Sequence, residues 1–155
     1  MSLNRSWETD KGYLEYVLEN SERAFDELQK LNIELRQGMR LDSNADVGRI
    51  GNLHRIVQDY LIVRVAGMFD KNSEVISFER WFKDDATYQS IHRNQIIVDL
   101  VKLRNNFVAH NNHRNVEGDA FPETQQILNS NVKSLLLRLR ELLNSSKSFT
   151  GQSLV

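Results

Sequence analysis

Two side chains in the second half of the chain have the chemistry to act on a charged substrate. In LRNNFVAHNNH, residues 103–113, Arg104 lies in register with Ile97, Val101 and Val108, at offsets of seven, three and four. A cation therefore interrupts an otherwise apolar stripe. Burying a guanidinium without partners is costly, so the position calls for a counter-charge or a ligand. His110 follows Leu103 and Phe107 at offsets of seven and three and closes a second stripe. Imidazole titrates near neutrality and can give or take a proton. Arginine presents a planar fork to phosphate or carboxylate. Structural roles compete with these. Arg104 can snorkel, or pair with a carboxylate such as Asp59 or Glu15, and His110 can sit at a helix C-terminus where its charged form meets the dipole. On an ideal helix the two side chains stand about 120° apart. They converge on one ligand if a second copy of the helix faces the first.

Other constellations carry less. His110 and His113 stand three apart, but a zinc site needs three or four ligands and no carboxylate sits at a matching offset, so no metal is expected. His113 and Arg114 read as a solvated loop or as phosphate contacts flanking a cleft, and Lys102 can join them. Asp59, Tyr60 and Arg64 are spaced to form a polar cluster along one helix side. Asp84-Asp85 reads as a helix-capping acidic pair. Phe78, Trp81 and Phe82 read as core rather than a base-stacking platform. Phosphate loops, dinucleotide fingerprints and a Ser-His-Asp order are missing, and no cofactor is expected.

The elements that must position these residues are helical. One proline and seven glycines in 155 residues leave long uninterrupted stretches. Leu14, Val17, Leu18, Phe25, Leu28, Leu31 and Leu35 mark one face of a helix over roughly 11–38, with Gly38 as its stop. A second helix spans roughly 45–70, with Val47, Ile50, Val57, Leu61, Val65 and Met68 inward, ended by Asp70-Lys71-Asn72-Ser73. A short helical segment near 75–85 carries Phe78, Trp81 and Phe82. The third main helix runs over roughly 87–110 with two stripes, Ile96-Leu100-Leu103-Phe107 and Ile97-Val101-Val108. Such a helix is central to a bundle or lies at a two-fold interface. Pro122 suits the first turn of a last helix bearing Leu128, Val132, Leu135, Leu139 and Leu142. The expectation is an all-α, up-down bundle of four main helices. Residues 1–10 form a polar lead, 11–144 one domain, and 145–155 a tail with little to bury that is expected to be disordered.

Composition narrows the function classes. The net charge of −1 provides no global field for nucleic acid or anionic membrane, so contact with either needs a local patch. The absence of cysteine excludes disulfides, thiolate metal sites and a cysteine nucleophile. The longest apolar runs, YLIV and SLLL, are far short of a membrane span. With a polar N-terminus, a cytoplasmic protein is expected.

Leu103-Arg104-Asn105-x-x-x-Ala109-His110 resembles the signature of helical HEPN domains, where an arginine, a polar residue and a histidine end the third main helix. The phrasing is similar to the abortive-infection and toxin branches. The layout over roughly 11–144 agrees, but the specific content is these eight residues. The bare arginine-to-histidine spacing recurs at Arg49 and His54, where isoleucine follows the arginine. The resemblance implies a metal-independent endoribonuclease acting as a homodimer, with RNA rather than DNA as substrate and an antitoxin protein as partner. In that reading Arg104, Asn105 and His110 are catalytic, and Lys102, His113 and Arg114 contact RNA. Other members of the superfamily are non-catalytic and bind nucleotides or proteins. Where some toxins carry a modifiable tyrosine two residues past the histidine, this chain has Asn112, so that regulation is not implied.

Overall fold

The structure, a computed structural model, describes residues 5–40, 44–108 and 131–146. The fold is all-α, and no strand occurs among the described residues. Helix α1 is Trp7–Arg40 and α2 is Asn44–Gly67. They are followed by α3 (Phe78–Phe82), α4 (Ala86–His92), α5 (Gln95–Leu103), a π-helical turn at Arg104–Val108, and α6 (Val132–Ser145).

Helix α1 starts earlier than its apolar period indicates. The Ser6 hydroxyl accepts a hydrogen bond from the Thr9 amide at 3.2 Å, an N-cap that satisfies one orphan donor. Trp7 is buried one residue later and meets Trp81 and Phe82 at ring-centroid distances of 5.1 and 5.5 Å. Asp10, fully buried, accepts from Trp81 Nε1 at 2.9 Å and ties α1 to α3. Residues 7–10 are thus part of the packed domain rather than a polar lead.

Helices α1 and α2 run antiparallel, since Tyr13 meets Arg64 while Asn32 meets His54. Leu14, Val17, Leu18, Phe25, Leu28 and Leu31 of α1 are buried, as are Ile50, Leu61 and Val65 of α2 and Met68 just past its end, as their spacing required; Val57 is partly buried, and the side chain of Val47 lies outside the described residues. Helix α6 also lies antiparallel to α1, held outside the core by Lys133–Asp26 at 2.7 Å and by a two-pronged Arg140–Glu22 pair at 3.0 and 2.8 Å. Its Val132, Leu135, Leu139 and Leu142 are buried. Pro122 and Leu128 fall outside the described residues, as do 147–155 of the tail.

The expected third helix is not continuous. It breaks between α4 and α5 at Arg93 and Asn94. Asn94 adopts an extended backbone and its side chain accepts from the Ile96 amide at 3.0 Å, capping a new helix. Asp85 caps α4 in the same way, accepting from the Tyr88 amide at 2.9 Å, which is the capping role read for the acidic pair. Tyr88 is buried and donates to Glu79 at 2.6 Å; burial, and then that carboxylate, push its pKa up and keep it a phenol.

Both apolar stripes of α5 are largely taken up within the chain. Ile97, Leu100 and Leu103 are buried, and Ile96 and Val101 pack partly buried against the core. The side chains of Phe107 and Val108 lie outside the described set. Over residues 96–103 both stripes therefore meet the core of the same chain.

Candidate functional site

Arg104 ends α5 and opens the π turn. Its amide donates to the carbonyls of Leu100 and Val101, the shared bond common at helix ends. Single π turns inside helices cost regularity and recur at functional positions. The side chain answers the problem set by its apolar register: it reaches out of the stripe. Nη1 donates to Asp70 Oδ2 at 3.1 Å and Nε to Asn105 Oδ1 at 3.0 Å. Arg104 is 19% exposed and Asp70 26%, so the pair sits at the edge of the core with one side open to solvent.

The partner is Asp70, not Asp59 or Glu15. The loop after α2 holds it firmly. Its other oxygen accepts from the Asn72 amide at 2.9 Å, and Asn72 in turn caps the Glu74 amide at 3.0 Å. Ser77 donates to the Asp70 carbonyl at 2.8 Å, and the Phe78 amide closes onto the Met68 carbonyl at 2.9 Å. From outside, Arg80 donates to the Ser73 carbonyl at 3.2 Å, and Arg5 donates to the carbonyls of Ser73 and Glu74. A rigid loop therefore aims a carboxylate at the guanidinium. Asp70 reads in sequence as a turn residue. Its only signal is position, directly after the buried Met68-Phe69 pair that follows α2.

Asn105 is exposed and spends its oxygen on Arg104, so it orients the guanidinium. His110, His113 and Arg114 lie outside the described residues. The structure thus brings together Arg104, Asn105 and the added Asp70, with Lys102 exposed two residues before Arg104. Among the described residues no group of three or more His, Asp or Glu side chains is arranged to hold a metal ion.

For two side chains this close to solvent, a coupling of about 1 kcal/mol is expected, the upper end for exposed pairs. A double-mutant cycle with Arg104→Ala and Asp70→Asn, followed by urea unfolding, measures it. The coupling should shrink in high salt; a value of zero would mean that Asp70 does not hold the guanidinium in solution.

The second arginine-to-histidine match has another purpose. His54 is buried between α1 and α2, with Nε2 at 2.6 Å from Asn32 Oδ1. Burial lowers its pKa from the usual 6.5. The unfolded chain then binds the proton more readily, so stability is full above about pH 6.5 and falls as the pH drops through the folded value. Thermal midpoints measured between about pH 7.5 and pH 5 should fall more in the native protein than in His54→Gln, which has no titrating ring. Equal slopes would remove His54 as the cause.

A pocket of about 170 Å³ opens beside the Asp70 loop, lined by Tyr13, Val63, Arg64, Gly67, Val75 and Ile76 among others. Arg64 stacks over Tyr60 at 5.3 Å and donates to the Tyr13 hydroxyl at 3.3 Å, so the polar cluster read along α2 forms in part. Arg104 does not line this pocket. No family model, no curated protein and no solved structure matches the chain.

Proposed function

We propose that this protein is a metal-independent endoribonuclease of toxin or phage-defence type, with Arg104 and His110 as its catalytic pair and a cleft shared by two copies. The observation that supports this best is Arg104 itself. It is a cation on a π turn, oriented by Asn105 and Asp70, with part of its surface open to solvent. In the reaction the 2′-oxygen of RNA attacks the adjacent phosphorus as His110 takes its proton. The P–O5′ bond breaks, and the leaving oxygen takes up a proton from water, which His110 later replaces when it releases its own proton to solvent. Arg104 meets the charge that grows on the phosphoryl oxygens. A 2′,3′-cyclic phosphate and a 5′-hydroxyl result. Lys102, His113 and Arg114 bind neighbouring phosphates. The reading brings with it a cytoplasmic setting and an antitoxin protein as partner.

One observation favours a second reading. Arg104 already holds a carboxylate, and a phosphate must displace it or share the fork. That suits a non-catalytic HEPN-like bundle in which Arg104 exchanges Asp70 for the phosphate of a bound nucleotide, or for an acidic group of a partner. Purified protein incubated with labelled single-stranded RNA and DNA in EDTA decides. Cleavage of RNA alone supports the nuclease. Intact RNA, together with nucleotide binding lost in Arg104→Ala, supports the second reading.

A further inference from the structure

Helix α2 carries a second apolar stripe that the other described residues leave largely exposed. Leu53, Ile56, Tyr60 and Val63 follow one another at three, four and three residues and are 43, 64, 36 and 40% exposed. That spacing is the seam of a two-stranded coiled coil, with Leu53 and Tyr60 in one layer type and Ile56 and Val63 in the other. The stripe lies opposite the buried residues Ile50, His54, Leu61 and Val65 of the same helix. Tyr13 and Tyr16 of α1, also exposed, extend it; Tyr13 sits beside the seam through its contact with Arg64.

We propose that this seam is a homodimer interface in which the α2 helices of two copies pack side by side in parallel. Area and charge both point to a second copy. At about 200 Å² for a large side chain, the six exposed residues present on the order of 500–600 Å² per copy. With a polar rim this approaches the roughly 800 Å² per partner of a stable interface. Asp59 and Arg64 flank the seam on opposite sides, five residues apart. In a parallel pair that offset sets Asp59 of each copy against Arg64 of the other, twice. An antiparallel pair centred on the same stripe sets Asp59 near its own counterpart instead. Asp59 is ready for such a partner: burial raises its pKa, and Arg55 only partly opposes this.

The parallel arrangement puts the two Asp70–Arg104 pairs, which follow the C-terminal end of α2, at the same end of the dimer. The seam stands whether or not the site cuts RNA, and its test involves no RNA.

The chain has no cysteine, so single cysteines report the geometry cleanly. Under mild oxidation Leu53→Cys alone and Val63→Cys alone should each form disulfide-linked dimers. Disulfides only in a mixture of the two variants would overturn the parallel arrangement. By sedimentation, the native chain should be dimeric at tens of micromolar. Ile56→Glu should weaken the dimer by about 100-fold or more, since it places two carboxylates in an apolar seam. Asp59→Arg should weaken it by about tenfold, and Asp59→Arg with Arg64→Asp should restore it. Leu53, Ile56 and Val63 are exposed, Asp59 and Arg64 half-buried, and circular dichroism confirms that each variant is folded. A monomeric native chain at 100 μM, or a dimer indifferent to Ile56→Glu, would overturn the proposal.

Discussion

Replacing His110 by alanine is expected to lower RNA cleavage by about 10²-fold or more, the range for losing general acid–base help. Arg104→Ala should cost a comparable factor through lost charge stabilisation. The two variants should differ in what else they change. Arg104 is paired with Asp70 within the described fold, so its removal also leaves a carboxylate without its cation and should loosen the 70–77 loop. His110→Ala should leave thermal stability nearly unchanged. Rates from a time course on one labelled RNA, alongside melting curves for both variants, check this. Equal cleavage by native protein and both variants would point to a contaminating nuclease and remove these residues from the mechanism.

The largest expected loss of stability comes from Leu100. It is fully buried, belongs to the central cluster and lies one turn before Arg104, whose amide bonds to its carbonyl. Leu100→Ala should destabilise the protein by about 2–5 kcal/mol, the transfer loss plus an unfilled cavity. For a chain of this size, that lowers the melting temperature by roughly 5–15 °C. Ile33→Ala, at an exposed position on the same scaffold, should shift it within the ~0.5 kcal/mol typical of surface changes. Similar melting temperatures for the two variants would contradict the placement of α5 in the core.

The helical class and most inward faces were legible because burial repeats every three to four residues. Leu14 to Leu31 and Leu135 to Leu142 stand where that period puts them. What the period hides is local. The apolar pattern runs on through Arg93 and Asn94, so only the Asn94 side chain's bond to the Ile96 amide reveals that one helix is two. The π turn at Arg104–Val108 spans five residues, too few to shift a visible period. Two-striped helices posed the harder problem. Both α2 and α5 have two apolar stripes, and composition does not say which stripe a neighbour covers. The second stripe of α5 meets the core, whereas that of α2 stays exposed. At the site, Arg104 was legible as a break in the pattern. Asp70 was not, because its role depends on loop bonds among Asp70, Asn72 and Ser77 that bring it to a helix 34 residues away.

The chemistry proposed here leaves a mark on its product. When 2′-hydroxyl attack cleaves RNA, the upstream fragment ends in a 2′,3′-cyclic phosphate and the downstream one in a 5′-hydroxyl. Water-mediated, metal-assisted cleavage leaves a linear phosphate instead. The decisive measurement is mass spectrometry of fragments from a defined RNA, incubated in EDTA with native protein and with the Arg104→Ala and His110→Ala variants. Cyclic-phosphate ends from native protein, reduced by about two orders of magnitude in both variants, are the expected result. Linear phosphate ends, cleavage that stops in EDTA, or cyclic ends undiminished in the variants would contradict it.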